Sequence, residues 1–219
     1  MDEKELETAL RNGLLDKWGF ENSHHLARPG VYYPSYLGMC IRKQFYIYTI
    51  GEKPSPETLA IFATGEGVHE AVAGALKRSI KVEGTEMITR LKVNEEVALS
   101  GRIDLLISDQ LGEKYVVEVK STSSIPEIPR YSHIMQLEIY LLAMDINTGF
   151  VLYWNKGNGE IKAFKATKSD EWKNKIMERS IMLDYFVRTG QAPPQEAYIE
   201  GRNWECDACS FLDSCKPGQ

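Results

Sequence analysis

The chain has 219 residues, which suits one domain or one domain with an appendage. Hydrophobic residues make up 43% and charged residues 26%, a composition that excludes a wholly disordered protein. The formal net charge of −5 argues against a protein that coats nucleic acid through bulk positive charge. The acidic first residues lack the apolar segment of a signal peptide, and no apolar stretch approaches the roughly 18 residues of a membrane span. We therefore expect a cytoplasmic protein without a membrane partner.

The N-terminal part of the sequence predicts helices. Leucines at i, i+4 spacing predict a helix over 2–18, followed by a loop over 19–34. Ser35 is a suitable N-cap for a second helix that ends near residue 48. A third helix is predicted over 55–78, because Ser, Pro and Glu stand there at the positions that favour a helix start.

From about residue 80 the pattern changes to the alternation typical of strands. Strands are predicted over 87–93, 96–108, 114–120, 149–155 and 160–166, and helices over 131–145 and 169–188. Prolines mark residues 190–204 as a linker into a short cysteine-rich tail. This order of elements predicts an α/β fold in which a mixed central sheet is flanked by helices.

Two neighbouring predicted strands carry charges within otherwise apolar segments. If they are antiparallel around a turn centred on Leu111, Asp104 and Glu118 are equally distant from that turn and face each other. Lys120 lies two residues beyond Glu118 and so shares its face, whereas Val119 points into the core. Charges on strands this apolar are rare unless they are paired or bind a metal.

Such a cluster suits metal-assisted hydrolysis of a phosphodiester. Carboxylate oxygens hold Mg²⁺ or Mn²⁺, and the metal activates a water molecule and offsets charge on the leaving oxygen. A lysine can orient the attacking water or stabilise the charge of the transition state. The alternative is a solvated strand face with an incidental ion pair.

Further polar residues fit this chemistry, although each also has a purely structural interpretation. Gln136 and Tyr140 share one face of the next predicted helix, as they would in any amphipathic helix. His69 follows two glycines inside the third helix, which indicates close packing there, but a lone helical histidine is more often structural than a ligand. His133 lies on the Gln136 face and is either a DNA contact or a residue without a functional role.

The four cysteines fall into two groups. Cys206, Cys209 and Cys215 lie in the tail, and Cys40 lies far upstream. Four thiolates can hold Zn²⁺ or an iron–sulfur cluster, and the chemistry alone does not decide between the two. Two disulfides, or a buried Cys40 beside a three-cysteine site, are alternatives, and a reducing cytosol argues against the disulfides. Either metal group would connect the tail to the N-terminal helices.

Taken together, these residues resemble the RecB-like branch of the PD-(D/E)xK nuclease superfamily, and within it the CRISPR-associated Cas-four exonuclease family. The branch pattern has a helical His, then G-x-ψ-D, E-ψ-K and Q-x3-Y, which correspond to His69, Gly101 to Asp104, Glu118 to Lys120, and Gln136 with Tyr140. The iron–sulfur members add one Cys before the His and a C-x2-C-x5-C tail, as found at Cys40, Cys206, Cys209 and Cys215. The resemblance runs from about residue 35 to residue 215. The proline of the superfamily name is Ile103 here, as is usual in this branch.

The resemblance implies one nuclease domain over 1–219 with a restriction-endonuclease-like core. The N-terminal helical part, 1–50, and the tail, 201–219, would together form the iron–sulfur region. The implied metal ligands are His69, Asp104, Glu118 and the carbonyl of Val119. Lys120, Glu118 and Asp104 would be catalytic, with Gln136 and Tyr140 close to the DNA and the active site. Cys40, Cys206, Cys209 and Cys215 would hold an iron–sulfur cluster of the 4Fe–4S type.

The implied activity is an Mg²⁺- or Mn²⁺-dependent exonuclease that acts on single-stranded or frayed DNA ends, often from 5′ to 3′. In CRISPR adaptation such enzymes trim prespacers beside the integrase complex. Alternatives are a stand-alone repair or viral exonuclease of the same family, a DNA-end-binding subunit with weak catalysis, and a zinc-stapled interaction protein. The sequence leaves a homo-oligomer open. Basic residues that could border a DNA path, or equally form an ordinary solvated face, are Lys162, Lys165, Lys168, Lys173, Lys175 and Arg179.

Overall fold

The computed structural model describes residues 2–19, 29–207 and 209–216. Its helices are α1 (Glu3–Leu14), α2 (Pro34–Leu37), α3 (Ile41–Thr49), α4 (Pro56–Leu76), α5 (Tyr131–Met144), α6 (Asp170–Thr189), α7 (Glu196–Ile199), α8 (Trp204–Asp207) and α9 (Leu212–Cys215). Its strands are β1 (Val31–Tyr32), β2 (Lys81–Lys92), β3 (Ala98–Ser108), β4 (Lys114–Thr122), β5 (Thr148–Asn155) and β6 (Ile161–Thr167). A π-helical segment, Leu15–Gly19, continues α1. None of the helices in these ranges is both long and apolar enough to cross a membrane.

The strands form one mixed sheet with the order β1-β3-β4-β5-β6, and β2 pairs with β3 outside this path. The pairs β2/β3, β3/β4 and β5/β6 are antiparallel, whereas β1/β3 and β4/β5 are parallel. Helix α5 connects the parallel strands β4 and β5, because parallel neighbours require a crossover connection. The predicted mixed central sheet flanked by helices is confirmed.

Helices cover both faces of the sheet. On one face, Leu137 of α5 belongs to the apolar cluster that contains Val116 and Val151. On the other face, Val72 of α4 packs in a second cluster with Val117 of β4. Because β4 is covered on both faces, Val116, Val117 and Val119 in its centre are all buried and apolar, and the charge of Glu118 between them stands out.

The second predicted helix is wrong in its start and its continuity. Ser35 does not cap it: α2 begins at Pro34, and the chain leaves the helix before α3 begins at Ile41. The break has a tertiary cause. Gly38 lies so close to α5 that a Cβ there would stand 2.4 Å from the Cα of Ser132. The guanidinium of Arg179 also donates a hydrogen bond to the Leu37 carbonyl, which in a continuous helix would accept a backbone N–H of the next turn.

Other elements differ from the prediction in where they begin or by a short added strand. Strand β2 begins at Lys81, well before the predicted start at 87, and this extension matters for the site described below. The predicted loop over 19–34 contains the short strand β1, whereas residues 20–28 of that loop lie outside the described residues. The predicted cap at Ser169 agrees with the structure, where its hydroxyl accepts a hydrogen bond from the Trp172 N–H at 3.3 Å.

One buried carboxyl group makes stability depend on pH. Glu138 of α5 is 1% exposed, and its Oε2 has no hydrogen-bond partner in the described part of the chain. Burial raises the pKa of Glu138 from 4.5 to about 7, although the Ser169 backbone N–H acts in the opposite direction. Between these two pKa values the folded chain holds a proton that the unfolded chain has lost, so stability falls as pH rises.

We expect Glu138→Gln to be more stable than wild type at about pH 8, because the amide removes the cost of ionising a buried carboxyl. At about 1.4 kcal/mol for each pKa unit, the gain is on the order of 3 kcal/mol. Near pH 4 the gain should disappear, since both states of wild type are then protonated. Urea unfolding at the two pH values measures this gain in stability. Glu178→Gln is the control, because Glu178 is an exposed residue of α6. A gain that is equal at both pH values would contradict the assignment.

Candidate metal centre and cysteine cavity

Asp104 lies where β3 and β4 separate. The ladder between them pairs Leu105 with Val117 and continues to Ser108 and Lys114, in the register predicted from a turn centred on Leu111. At the next position the main-chain pairing stops, and Asp104 Oδ2 instead accepts a hydrogen bond from the Val119 N–H at 2.7 Å. This bond fixes one carboxylate oxygen of Asp104 and leaves the other directed to neighbouring groups.

A chain of polar contacts leads from β4 to α5. Lys120 Nζ lies 2.7 Å from Glu118 Oε1 and donates a hydrogen bond to Gln136 Oε1 at 2.9 Å. The amide of Gln136 in turn donates to the hydroxyl of Tyr140 at 3.3 Å. Glu118 is 1% exposed, and its Oε2 has no hydrogen-bond partner among the described residues. The structure therefore brings together the four residues predicted from the E-ψ-K and Q-x3-Y patterns.

The electrostatics of this cluster favour a cation. Burial raises the pKa of Glu118, and the nearby Asp104 charge raises it further. Burial also raises the pKa of Asp104. For Lys120, burial acts to lower the pKa, but the charges of Glu118 and Asp104 outweigh it and the pKa is raised. Two buried carboxyl groups thus share one ammonium, and a divalent ion would compensate the remaining negative charge.

The side chain of His69 on α4 also lies beside Asp104. Its Nδ1 lies 3.4 Å from Asp104 Oδ1 and 3.9 Å from Glu86 Oε1. One ligand atom from each of His69, Glu86 and Asp104 lies within 4.8 Å of the other two. Burial would lower the pKa of His69, but the contact with Glu86 and the charge of Asp104 raise it overall. The donor set of one imidazole and several carboxylate oxygens fits Mg²⁺ or Mn²⁺.

Glu86 is the residue of this group that the sequence analysis missed. Its neighbours Thr85 and Met87 pair with Leu105 and Ile103, so it stands opposite Asp104 on the adjacent strand. Carboxylates in facing positions repel each other unless a positive group lies between them. Glu86 also has φ of +51°, a left-handed conformation that is unusual for a residue with a side chain. Backbone strain of this kind is concentrated at functional sites.

One expectation about the surroundings of the site is wrong. The glycines before His69 do not mark close packing, since nothing lies within 4 Å of a Cβ built at Gly67, and one at Gly65 would make an ordinary 3.6 Å contact. His133 is half-buried, and its Nδ1 lies 2.8 Å from the Tyr153 hydroxyl. Burial lowers the pKa of His133 to about 3, which favours the neutral imidazole.

The basic path along α6 and β6 is also smaller than predicted. Arg179 turns inward, where it contacts Glu196, and its side chain is only 15% exposed. Lys168 lies 2.7 Å from Asp145, and Lys175 lies 2.7 Å from Glu171. Arg179 is therefore wrong as a DNA-path residue.

The four cysteines line one cavity. Cys40 comes from the N-terminal cap of α3, and Cys206, Cys209 and Cys215 come from the tail. All four are free thiols. Tyr46, Ala197, Phe211 and Leu212 give the cavity apolar walls. Burial raises the pKa of the Cys206 thiol, and the other three cysteines raise it further, as expected for thiols gathered at one place.

The chemistry of the four cysteines determines what they could hold. Thiolates bind both zinc and the iron of iron–sulfur clusters. Since all four cysteines line the same cavity, their side chains fit either group.

Known proteins resemble this chain over most of its length. It is 26% identical over 206 residues to the CRISPR-associated exonuclease Cas4 of Saccharolobus solfataricus, which spans 92% of this chain and 95% of the relative. The solved structure of SSO0001 superposes with a TM-score of 0.71 at 23% identity, covering 95% of this chain and 96% of the other. LHK-Exo, an alkaline exonuclease from Laribacter hongkongensis solved in complex with dAMP, gives a TM-score of 0.51 at 13% identity, covering 84% and 96%. These structural similarities establish the fold.

A sequence model of the PD-(D/E)XK nuclease superfamily matches residues 46–216. The matched range contains the histidine, the carboxylates and the lysine that converge at the candidate metal centre, together with the cysteines of the tail. Enzymes of this superfamily are nucleases that use divalent metal ions. By this match over well more than half of its length, the chain belongs to the PD-(D/E)XK nuclease superfamily.

Proposed function

We propose that this nuclease is an Mg²⁺- or Mn²⁺-dependent exonuclease that removes nucleotides from single-stranded DNA ends, in the 5′ to 3′ direction. The observation that carries the proposal is the convergence of Asp104, Glu118 and Lys120 with His69 beside them. The similarity to a protein named CRISPR-associated exonuclease Cas4 supports the choice of an exonuclease. An inactive DNA-end-binding subunit would have no chemical reason to keep all of these groups together.

Each side chain has a role that follows from its position. His69, Asp104, Glu118 and the Val119 carbonyl would hold the metal, and we add Glu86 to this ligand set. A divalent ion bound there would activate water and offset charge on the leaving oxygen. Lys120 would orient the attacking water and stabilise negative charge on the phosphate, because its ammonium is buried beside Glu118.

Gln136 and Tyr140 support the lysine from α5. The carbonyl of Gln136 accepts a hydrogen bond from Lys120 Nζ, which restricts the ammonium to one position. The hydroxyl of Tyr140 accepts from the Gln136 amide, which fixes the amide orientation that this contact requires. These two residues thereby position the catalytic lysine close to the expected path of the DNA.

We expect Glu86→Gln to weaken divalent metal binding, because it removes one anionic ligand while keeping the size of the side chain. The Mn²⁺ concentration for half-maximal binding should rise about tenfold or more. Calorimetric titration of Mn²⁺ into the protein measures this shift. Glu83→Gln is the matched control, since Glu83 lies on the same strand but pairs with Lys81 and Ser108. Equal Mn²⁺ affinity in wild type and Glu86→Gln would remove Glu86 from the ligand set.

The experiment that tests the activity uses DNA strands labelled at either the 5′ or the 3′ end. With Mg²⁺ or Mn²⁺ and a single-stranded substrate, we expect mononucleotides or short products to be released first from the 5′ end. EDTA should stop the reaction, and circular single strands should resist it. Release from the 3′ end, or cutting of circles, would reverse the proposed polarity or the exonuclease assignment. A preparation with no cleavage under any divalent metal would favour the end-binding subunit.

We also propose that Cys40, Cys206, Cys209 and Cys215 hold a 4Fe–4S cluster, which would unite residues 1–50 and 201–219 in one cluster region of a single domain. The gathering of all four cysteines at one cavity and the apolar residues in its walls support this assignment. Iron and acid-labile sulfide analysis of anaerobically purified protein tests it, with about four of each expected per chain. One zinc ion per chain without sulfide would replace the cluster by a structural zinc site.

The biological role we propose is trimming of prespacer ends in CRISPR adaptation, beside the integrase. The similarity to a CRISPR-associated exonuclease supports this role, and a stand-alone repair or viral exonuclease is the competing role. A duplex with single-stranded overhangs is the appropriate substrate, assayed with and without the integrase. Trimming to a defined overhang length only when the integrase is present would favour the CRISPR role.

A further inference from the structure

Two carboxylates hold the start of α3, the helix that begins directly after Cys40. Glu205 Oε2 accepts a hydrogen bond from the backbone N–H of Cys40 at 3.0 Å. Glu196 Oε2 accepts from the backbone N–H of Ile41 at 2.7 Å. Negative charge is favourable at a helix N-terminus, where the first N–H groups have no partner within the helix. Both acceptors come from the C-terminal part of the chain and so connect it to Cys40.

The guanidinium of Arg179 joins three parts of the chain at the same place. From α6 it donates to the carbonyls of Leu37 and Met39, each at 2.5 Å, in the segment that leads to Cys40. It also donates to both carboxylate oxygens of Glu196, at 2.5 and 2.7 Å. The planar fork of an arginine satisfies these four acceptors at once, which a lysine cannot do.

The Arg179–Glu196 pair is largely buried, with 15% of each side chain exposed. Burial by itself would raise the pKa of Glu196, but its bonds to Arg179 lower the pKa overall, so the carboxylate stays charged. Arg202 adds a second connection, since it pairs with Glu205 and lies 3.5 Å from Glu196. Removing one partner of such a pair leaves a buried charge without compensation, which is strongly unfavourable.

None of these contacts involves a sulfur atom, yet together they fix the main chain on both sides of the cysteine cavity. We propose that the Arg179–Glu196 pair positions Cys40 against the tail before the cofactor is bound, so that the cysteine site is preformed. Arg179 and Glu196 are positioning residues in this scheme. The identity of the cofactor rests on the iron–sulfur cluster proposed above. Preorganisation of ligands by neighbouring polar groups is a general feature of metal sites.

The first measurement is chymotrypsin cleavage of the tail in metal-stripped, full-length protein. Tyr198 and Trp204 offer exposed cleavage sites, with 48% and 62% of their surfaces accessible. We expect slow cleavage in wild type and at least about tenfold faster cleavage in Arg179→Met and Glu196→Gln, because cleavage follows local opening of the tail. Tail cleavage that is equally fast in wild type and variants would overturn the proposal of a preformed site.

The second measurement is loss of the cluster from anaerobically purified protein after a chelator is added. The visible absorbance should decay about tenfold faster in Arg179→Met than in wild type. Arg179→Lys should lose the cluster as fast as Arg179→Met, because lysine keeps the positive charge but lacks the planar fork of donors. If charge alone mattered, Arg179→Lys would lose the cluster at the wild-type rate. Decay at the wild-type rate in both Arg179→Met and Glu196→Gln would overturn the positioning role.

Arg188→Met is the matched control for both measurements. Arg188 lies on the same helix, and its ion pairs among the described residues are with Asp184 at 2.6 Å and Glu96 at 3.9 Å rather than with the tail. Far-UV circular dichroism confirms that each variant keeps its sheet and helices, so Arg179→Lys and Glu196→Gln serve if Arg179→Met fails to fold. Wild-type protein that contains no iron would refute the proposed cluster, while the chymotrypsin rates would still decide the role of the pair.

Discussion

Lys120→Met should reduce DNA cleavage by about a hundredfold to a thousandfold, the usual loss when one preorganised electrostatic group is removed from an active site. Methionine keeps the length and volume of the side chain, so the core around β4 remains filled. The ammonium that contacts both Glu118 and Gln136 is lost, however. In the proposed mechanism the attacking water then loses the ammonium that orients it, and the charge that develops on the phosphate is offset by the metal ion alone.

Single-turnover cleavage of end-labelled single strands at saturating Mn²⁺ is the appropriate measurement, because it reports the chemical step rather than product release. Lys114→Met is the matched control, since Lys114 lies on the same strand with its side chain exposed, and it should cleave at the wild-type rate. Binding of DNA by Lys120→Met, measured in Ca²⁺, should change far less than the rate. A variant that cleaves like wild type would show that Lys120 is not catalytic.

Gly38→Ala, between α2 and α3, should clearly destabilise the protein. The new Cβ would lie 2.4 Å from the Cα of Ser132 and 2.9 Å from its Cβ, so the backbone of α5 or of the segment itself must move. Overpacking of this kind costs about 2–3 kcal/mol. In a chain of this size that corresponds to a fall in Tm of about 4–12 °C.

Thermal unfolding followed by circular dichroism checks this expectation, and the same substitution at Gly74 of α4 is the control. Nothing lies within 4 Å of a Cβ built at Gly74, so alanine there should stabilise the helix by up to about 1 kcal/mol. The two variants should therefore shift Tm in opposite directions. If Gly38→Ala unfolds at the wild-type temperature, α5 does not lie against this segment as closely as the structure indicates.

Local patterns in the sequence were sufficient to predict the hairpin that carries the carboxylates. A turn centred on Leu111 and two apolar strands determined the register, and the ladder from Leu105 and Val117 onward follows it. The pattern could not predict that the ladder stops at Asp104, because that depends on a side chain replacing a main-chain acceptor. The sequence thus predicted which residues come together, and the structure added how their orientation is fixed.

Glu86 was missed for a different reason. Its segment was predicted to begin as a strand only at residue 87, since the preceding residues alternate poorly and include a glycine at 84. The structure extends β2 to Lys81, with an irregular register between Val82 and Gly84. Bulges and left-handed residues depend on the partner strand, so propensity along one strand does not reveal them.

Arg179 shows that the composition of a segment does not predict where its charged side chains point. Several lysines and arginines between residues 161 and 190 suggested a basic surface, yet the fold turns Arg179 toward Glu196 and the segment before Cys40. A carboxylate 17 residues away in sequence and carbonyls about 140 residues away supply its partners. No local pattern records contacts over such separations, whereas the break between α2 and α3 follows directly from them.

The contact between Cys40 and the tail also determines when the cysteine site can form during synthesis of the chain. Glu205, which holds the Cys40 N–H, lies 165 residues further along the chain. At about 5–20 residues per second, a ribosome needs roughly 10–30 s to travel from one to the other. During most of that interval the strands of the sheet are still being synthesised, and Cys40 has none of the three cysteines of the tail. Cys40 is therefore a lone thiol in the nascent chain until the tail is synthesised, and the proposed cluster could be inserted only after that point.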